Sequence, residues 1–298
     1  MKIVSFKGNE GDRIGIQTEG GIVDFSAGLQ VYNLVEKESL CPMITDILTL
    51  LQNDLFDVEL FSEVLNFLER HSLLKRYIAR GKVKLNPPIS RPPKIVALGL
   101  NYASHASESG REAPTEPVIF CKASTAVIGP EDKVIINPEI GRVDPEVELA
   151  VIIGREASHV SRDNAADFIA GYTILNDISA RQMQSDDFEL RNPWFRSKSM
   201  DTFCPMGPCV VTPDEISPLD ELDLELKVNG ESRQKSNTKH LIFKIPVLIE
   251  YISGMMTLEP GDVISTGTPE GIAPIEPGDV VEAVVEKVGT LTNYVRSL

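Results

Sequence analysis

The sequence predicts a mainly β fold with a few helices, an α+β architecture in which the sheets are mixed. Many short apolar segments follow one another with long irregular connections, without a regular alternation of strands and helices. Two Pro-Gly-Asp turns, at residues 260–262 and 277–279, each precede a β-branched run, a combination typical of β-rich proteins. A chain of 298 residues is long enough for one large domain or two smaller ones.

Residues 1–85 are predicted to form a small α+β domain. Short strands separated by Gly-rich turns are expected at residues 2–6, 13–17 and 21–25. Between about residues 42 and 80, apolar side chains recur at helical spacing, which predicts two amphipathic helices. The first apolar stripe holds Ile44, Ile47, Leu48 and Leu51, and the second holds Leu60, Val64, Phe67 and Leu68.

The larger domain is predicted to cover residues 86–298. The stretch between Lys82 and Lys94 has four prolines and no periodicity, which makes it the best candidate for a linker. Helices are expected from Ser161 or Asp163 to Ala170, and from about Ile245 to Met256. Apolar runs predict strands at residues 95–100, 134–136, 149–153, 171–177, 209–211, 224–228, 263–265 and 280–285.

Three carboxylates at strand ends suggest a metal site. Glu146 and Glu148 are two residues apart at the head of the apolar run 149–153, and side chains two apart on a strand share a face. Asp177 ends a second apolar run, 171–177. Carboxylates buried together need a cation, and Mg²⁺ is the ordinary choice. The alternative is that Glu146 and Glu148 are solvated residues on an exposed strand face.

His105 and Glu108 form a second candidate constellation. They lie three residues apart just after the strand at 95–100, a spacing that brings them together in a short helix and lets the glutamate orient the imidazole. Such pairs are also common on solvated helix faces. The polar, Pro-containing residues 109–117 follow, and a mobile lid over an active site is expected there.

Several basic and polar residues are candidates for contacts to an anionic substrate. Lys122 and Lys198 each lie next to an apolar segment, although either could be an ordinary surface lysine. Arg181 and Gln184 follow Asp177 on one predicted helical face. The polar loop 265–271, which contains Thr268, could accept an anionic group through its hydroxyls and amides, or could be a simple turn.

Composition excludes several classes of function. The chain has 29 basic and 44 acidic residues, and its net charge of −15 disfavours binding to nucleic acid or to anionic membranes. There is no apolar stretch of membrane-spanning length and no signal-peptide pattern at the start, so a cytoplasmic protein is expected. The four cysteines, Cys41, Cys121, Cys204 and Cys209, lack a metal-binding spacing and are expected to be reduced.

Taken together and in this order, the motifs between about residues 95 and 293 resemble the fumarylacetoacetate hydrolase family. The resemblance implies a β-rich catalytic domain of the family's own fold, usually in a homodimer, with a small N-terminal domain in longer members. The segments that carry it are Gly99-Leu100-Asn101-Tyr102 with His105 and Glu108, Asp144-x-Glu146-x-Glu148-Leu149-Ala150, Gly171-Tyr172-Thr173 with Asn176, Asp177 and Arg181, Lys198-Ser199 to Gly207-Pro208, and Gly261-Asp262 with Thr266-Gly267-Thr268-Pro269.

The resemblance also implies roles for individual residues. Glu146, Glu148 and Asp177 would bind Mg²⁺ or Mn²⁺, the dyad of His105 and Glu108 would activate water, and Lys198 would lie near the metal and the substrate. Arg181, Gln184 and Thr268 would contact the substrate. The chain departs from the family pattern at Asn101, which is neutral where the animal family members that act in tyrosine breakdown have a further acid. The site therefore resembles that of the bacterial and acylpyruvase-like members, in which three residues bind the metal.

The expected activity is metal-dependent hydrolysis of a carbon–carbon bond in a small anionic substrate, a β-diketone 2-oxo acid of the acylpyruvate or diketo-deoxy sugar acid class. Pyruvate or a related 2-oxo acid would be released. One alternative is isomerisation or decarboxylation of an unsaturated oxo dicarboxylate at the same site. Another is a carboxylate-binding protein without turnover, which the presence of both His105 and Glu108 disfavours.

Overall fold

A computed structural model describes residues 1–9, 11–39, 43–108 and 110–298, except for the side chain of residue 220. Cys41 and the first residue of the expected lid, Ser109, lie outside the described residues. The strands are β1 (Lys2–Gly8), β2 (Gly11–Thr18), β3 (Gly21–Asp24), β4 (Leu85–Asn86), β5 (Ile95–Gly99), β6 (Val118–Lys122), β7 (Val127–Ile128), β8 (Lys133–Ile136), β9 (Val143–Asp144), β10 (Val147–Ile153), β11 (Ile169–Asn176), β12 (Ser179–Ala180), β13 (Cys204–Val211), β14 (Asp223–Val228), β15 (Glu231–Asn237), β16 (Val263–Ser265), β17 (Val280–Val285) and β18 (Gly289–Ser297).

The helices are short and few relative to the strands. The α-helices are α1 (Phe25–Glu36), α2 (Ile47–Gln52), α3 (Val58–Arg70), α4 (Leu74–Tyr77), α5 (Ala103–Glu108), α6 (Arg181–Glu189), α7 (Phe195–Lys198) and α8 (Ile245–Ser253). Short 3₁₀ helices cover Ser124–Ala126, Pro138–Ile140, Arg162–Phe168, Pro213–Glu215, Leu219–Glu221 and Thr238–His240. Among the described residues, no helix combines the length and apolar character that crossing a bilayer requires.

The predicted mainly β fold with mixed sheets is confirmed. The largest sheet has eleven strands, nine of them in the order β3-β2-β1-β13-β11-β10-β16-β5-β6, with β4 paired to β1 and β7 paired to β13. Most neighbours are antiparallel, but β16 runs parallel to β5. A second sheet has the order β15-β14-β17-β18-β8, in which β8 runs parallel to β18. Strands β9 and β12 form a separate pair.

Strand β10 lies in the middle of the molecule, and all seven of its residues are buried. Its side chains alternate between two hydrophobic cores, as side chains on a strand must. Leu149 and Val151 belong to the core that also contains Leu224 and Val281 of the five-stranded sheet. Ile152, on the other face, belongs to a core shared with the N-terminal helices. The continuous apolar run in the sequence therefore reflects burial on both faces.

The N-terminal segment packs on the large sheet. Phe25, Phe61 and Phe67 share a core with Ile152 of β10 and Val210 of β13. Strand β1 pairs with β13, so β1, β2 and β3 continue the large sheet. Both helices expected from apolar spacing form, as α2 and α3. The boundary between domains at residues 85 and 86 stays a prediction.

One local expectation differs from the structure, and one helix has no prediction from the sequence. The helix expected from residues 161–163 to Ala170 is wrong, because the chain forms a 3₁₀ helix only to Phe168 and enters β11 at Ile169. Pairing of Ile169 with Ile153 of β10 outweighs the local helical tendency, and Ser161 makes no capping hydrogen bond. Helix α1 carries no expectation from the sequence, although Asp24 caps it by accepting a hydrogen bond from the N–H of Ala27.

We expect Phe61→Ala to lower the free energy of unfolding by about 3–5 kcal/mol, because a buried aromatic ring would leave a cavity. Phe61 is fully buried, and its ring packs edge-on against Phe25 and Phe56 at centroid distances of 4.9 and 5.2 Å. Urea unfolding followed by circular dichroism measures the change. Leu34→Ala, at a side chain that is 51% exposed, is the control, and equal losses in both variants would contradict the packing described.

Candidate metal centre and active site

Strand register brings the three predicted carboxylates together. Glu146 immediately precedes β10, Glu148 lies within it, and Asp177 immediately follows β11. Val147 of β10 is paired with Asn176 of β11, so the beginning of one strand lies beside the end of the other. One oxygen from each acid lies within 4.8 Å of one from each of the others, and all three side chains are buried.

Hydrogen bonds hold this corner of the sheet. The backbone N–H of Glu146 donates to Asn176 Oδ1 at 2.9 Å, and the N–H of Asp177 donates to the carbonyl of Glu146 at 2.8 Å. Glu148 Oε2 accepts from the Ser265 hydroxyl at 2.6 Å and from the Gly267 N–H at 2.8 Å. The orientation of the acids is therefore set by the strands rather than by a flexible loop.

Three cations neutralise two of the acids. Lys198 Nζ lies 2.7 Å from Glu146 Oε2 and 2.6 Å from Asp177 Oδ2, so one ammonium bridges both carboxylates. Lys122 Nζ lies 2.5 Å from Asp177 Oδ1, and Arg181 contacts Glu146 Oε1. Buried carboxylates stay ionised only when such partners offset the loss of hydration.

The pKa values differ within the group for physical reasons. Burial by itself would raise the pKa of Glu146, but Lys198 and Arg181 outweigh it and hold that pKa well below its ordinary value. Burial also raises the pKa of Glu148, and repulsion from Asp177 and Glu146 adds to it, giving about 8. Lys198 keeps a raised pKa in spite of its burial, because Asp177 and Glu146 favour its charged form.

The donor set fits a hard divalent cation such as Mg²⁺ or Mn²⁺. All three candidate ligands are carboxylates, the oxygen donors that these ions prefer. Among the described residues Glu148 has no ion pair, because its hydrogen-bond donors are the hydroxyl of Ser265 and the backbone amide of Gly267. A divalent ion held by Glu146, Glu148 and Asp177 would supply the positive charge that Glu148 lacks.

His105 and Glu108 meet as their spacing predicts. Both lie on α5, with His105 Nδ1 at 3.4 Å from Glu108 Oε2. Glu108 also accepts from the N–H of Gly271, at 3.0 and 3.2 Å to its two oxygens, which ties the helix to the loop after β16. His105 is buried and lines the same cavity as Glu146 and Glu148.

The site opens into a cavity of about 230 Å³. Seven of the ten predicted site residues line it, namely His105, Glu146, Glu148, Arg181, Gln184, Lys198 and Thr268. Gln184 Oε1 accepts from Arg181 at 2.5 Å, and the Thr268 hydroxyl donates to the carbonyl of Val147 at 3.0 Å. These contacts fix the two polar side chains beside the acids.

Lys122 does not line the cavity, in contrast to its expected role as a substrate contact. Its side chain is fully buried, and its ammonium donates to Asp177, to the carbonyl of Lys198 and to the carbonyl of Ile178. With its donors used in this way, Lys122 positions Asp177 from behind. Asp177 and Glu108 likewise lie outside the cavity lining.

Some site residues carry no sequence-based expectation. Asp144 is fully buried and accepts from Arg142 Nε and Arg181 Nε, both at 2.8 Å. The D-x-E-x-E alternation around Glu146 is the signal that could have found it. Arg142, Phe120 and Trp194 line the cavity without any local signal, and Arg111, which also lines it, lies in the segment 109–117 where a lid is expected.

Asn101 ties two loops together and offers no carboxylate to the site. Its side-chain amide donates to the carbonyls of Thr266, at 2.8 Å, and Phe243, at 3.1 Å, and its carbonyl oxygen accepts from the N–H of Phe243 at 2.8 Å. Gly267 passes close by with a φ of +96°, and a β-carbon there would lie 2.9 Å from Asn101 Cβ. A glycine is therefore required at this approach.

The catalytic region of the chain matches a known protein family. Residues 94–296 match the model of the fumarylacetoacetate (FAA) hydrolase C-terminal domain, which is more than half of the chain. The chain belongs to the fumarylacetoacetate hydrolase family. Members of this family include hydrolases, isomerases and tautomerases. The chain is therefore a metal-dependent enzyme of this family.

Three relatives illustrate that range. The mitochondrial oxaloacetate tautomerase Fahd2a of Rattus norvegicus is 38% identical over 260 residues, 80% of this chain and 82% of its own. The maleylpyruvate hydrolase of Sphingobium sp. SYK-6, solved with manganese(II) and pyruvate, has 32% identity and a TM-score of 0.77 over 100% of this chain and 99% of its own. The 2-hydroxyhepta-2,4-diene-1,7-dioate isomerase of Mycobacterium marinum has 32% identity and a TM-score of 0.74 over 100% and 98%.

We expect divalent metal binding to release about one proton at pH 7, because Glu148, with a pKa of about 8, is mostly protonated there and must ionise to bind. Since the raised pKa favours the protonated form, apparent affinity for Mn²⁺ should increase up to about pH 8 and then level off. Titration calorimetry in buffers of different ionisation enthalpy measures the release.

Glu148→Gln is the matched variant for this measurement. It should bind Mn²⁺ more weakly and without the proton release, because the amide has no proton to lose in this range. Affinity of the unaltered protein that does not change between pH 6 and pH 8 would contradict the assignment of Glu148 as the protonated ligand.

Proposed function

We propose that the protein is a divalent-metal-dependent hydrolase that cleaves a carbon–carbon bond in a β-diketone 2-oxo acid of the acylpyruvate or diketo-deoxy sugar acid class. The observation that carries this proposal is that His105, which is paired with a glutamate, lines one small cavity together with Glu146 and Glu148, two members of a buried group of three carboxylates. A base for water and a place for a Lewis acid are the two requirements of such a cleavage. The proposed partner is a small anionic 2-oxo acid, and a homodimer stays a prediction.

The proposed cation and the side chains of the cavity have different roles in the reaction. A divalent ion bound by Glu146, Glu148 and Asp177 would act as a Lewis acid toward the carboxylate and 2-oxo oxygens of the substrate. His105 takes a proton from water, and Glu108 holds the imidazole in orientation. The water oxygen adds to the carbonyl carbon two atoms beyond the 2-oxo carbon.

Collapse of that adduct breaks the bond between the attacked carbon and its neighbour on the pyruvate side. The bonding electrons stay with the pyruvate portion as an enolate, and the other portion leaves as a carboxylic acid. Protonation of the enolate carbon gives pyruvate or a related 2-oxo acid, with the proton that His105 took from water returned in this step. Lys198, which lines the cavity, contributes positive charge beside the enolate oxygen.

Charge and hydrogen bonding assign the substrate contacts. Arg181 and Gln184 bond to each other and line the cavity, which makes them suited to hold a substrate carboxylate in a fixed direction. The Thr268 hydroxyl also lines the cavity and accepts a hydrogen bond from Gln234 at 2.8 Å. We assign these three residues to substrate binding.

A tautomerase or isomerase acting on a 2-oxo dicarboxylate is the second candidate. It is favoured by the 38% identity to an oxaloacetate tautomerase over 80% of this chain. Proton transfer by His105 alone would be sufficient for this chemistry, without attack by water. The two candidates share the enolate, so they are separated by their products. A hydrolase releases two acids, whereas a tautomerase or isomerase gives a spectral change without a second product.

We expect the protein to release pyruvate, or a related 2-oxo acid, from at least one β-diketone 2-oxo acid in the presence of Mg²⁺ or Mn²⁺. A screen of acylpyruvates, diketo-deoxy sugar acids and oxo dicarboxylates, followed by mass spectrometry, identifies the products. His105→Asn should lower kcat by about a hundredfold to ten-thousandfold, because general-base catalysis is lost. Glu148→Gln should abolish turnover while the circular dichroism spectrum is retained.

Manganese binding to His105→Asn is the control, since His105 is not a metal ligand in this assignment. If His105→Asn keeps its affinity for Mn²⁺ and loses turnover, the result supports a catalytic role for His105. Isomerised or tautomerised product without a second acid would favour the second candidate. Turnover by His105→Asn at the rate of the unaltered protein would contradict both candidates.

A further inference from the structure

Positive charge in the cavity is unevenly compensated. Four cationic side chains line it, and three of them contact buried carboxylates: Lys198, Arg181 and Arg142. Within the described part of the chain, the guanidinium of the fourth, Arg111, has no ion pair and no hydrogen bond. A partly buried cation without a partner is costly unless a ligand supplies the anion.

Two aromatic rings lie close to the guanidinium of Arg111 at the cavity. Its Cζ atom lies 3.9 Å from the ring centroid of Phe188 and 5.6 Å from that of Trp194, within the range of cation–π attraction. A cation–π contact is an attraction between a charge and a ring, and it provides no carboxylate or carbonyl acceptor for the N–H donors of the guanidinium. The donors therefore stay available for a planar anion, which they can bind through two parallel hydrogen bonds.

The electrostatic surroundings of Arg111 favour the same conclusion. Burial lowers the pKa of its guanidinium, and the nearby charge of Arg181 lowers it further. Arginine nevertheless stays protonated, so the cost is borne as unfavourable electrostatic energy. A carboxylate bound in the cavity would offset both the desolvation and the repulsion.

We propose that Arg111 is a specificity-determining residue that binds a second carboxylate, at the end of the substrate distant from the 2-oxo group. This inference rests on the proposed function, because it takes the 2-oxo end of the substrate to be held at Glu146, Glu148 and Asp177. It restricts the substrate class to 2-oxo acids whose distal group is itself anionic. Hydrolase and tautomerase substrates of that kind would both meet the requirement.

The test compares matched 2-oxo acids that differ only at the distal end. 2-Oxoglutarate and 2-oxopentanoate share a carbon skeleton, and they differ in having a carboxylate or a methyl group at its end. The longer pair, 2-oxoadipate and 2-oxohexanoate, covers a distal group one methylene further out. Binding to the Mn²⁺-loaded protein is followed by the fluorescence of Trp194, the single tryptophan of the chain, which lines the cavity.

We expect the protein to bind the dicarboxylate of at least one pair about tenfold or more tightly than its monocarboxylate partner. Arg111→Gln should weaken dicarboxylate binding by about tenfold to a hundredfold and monocarboxylate binding by less than about threefold. Arg111→Lys should give an intermediate loss, because the charge remains while the planar fork and the stacking are removed.

Arg142→Gln separates a direct contact from a general change of charge. It removes one cation from the same cavity, but that cation is already paired with Asp144 at 2.8 Å. We expect this variant to change the ratio of the two affinities by less than about threefold. An equal loss of selectivity in Arg142→Gln and Arg111→Gln would overturn the assignment of a direct contact to Arg111.

The outcomes distinguish this inference from the proposed function. If the 2-oxo acids bind but both members of each pair bind equally, the role of Arg111 is overturned and the proposed function stands. If no 2-oxo acid binds to the Mn²⁺-loaded protein, the proposed function is overturned and the inference falls with it. A preference for the dicarboxylates that is lost in Arg111→Gln but kept in Arg142→Gln supports both the role of Arg111 and the proposed function.

Discussion

Three carboxylates in one buried corner repel one another, and the surrounding side chains are arranged to offset that repulsion. Lys198 bridges Glu146 and Asp177, and Lys122 approaches Asp177 at its other oxygen. Glu148 receives only neutral donors among the described residues, and its pKa rises to about 8 as a result of burial and of the two neighbouring acids. The site is thus balanced for two of its acids and left short of positive charge at the third. A divalent cation completes such an arrangement without a new side chain.

Ion pairs also connect the candidate metal centre to a helix that lines the cavity. Arg181 contacts both Asp144 and Glu146, and it is the first residue of α6, which also carries Gln184. The position of this helix is therefore coupled to the acids on the sheet. On the opposite side, Glu108 of α5 is tied to Gly271 in the loop that follows β16. The proposed base, the candidate cation site and the proposed substrate contacts are held by separate elements that meet at the ends of β10, β11 and β16.

The whole chain is acidic, yet cationic side chains outnumber the acidic ones that line its cavity. The net charge is −15, yet four cationic side chains line a cavity of about 230 Å³. Local charge, rather than net charge, therefore governs which small molecules the cavity can accept. The four cations also differ in their partners. Buried acids neutralise Arg142, Arg181 and Lys198, whereas the guanidinium of Arg111 has only aromatic rings as partners among the described residues.

The sequence by itself determined the features that depend on near neighbours along the chain. The apolar run of β10 and the acids at its head follow from strand alternation, and the pairing of His105 with Glu108 follows from helical spacing. Asp177 is at the end of an apolar run, which places it at a strand end. These patterns were sufficient for the fold class and for the candidate metal ligands.

The tertiary structure alone decided the features that depend on distant pairing. The pairing of β1 with β13, and the entry of residue 169 into β11 in place of a helix, arise from hydrogen bonds between segments far apart in the chain. Lys122 contacts Asp177, and Arg111 lies close to the rings of Phe188 and Trp194, for the same reason. A lysine or arginine has no local signal for its partner, because the partner is chosen by burial and charge in three dimensions rather than by spacing in the sequence.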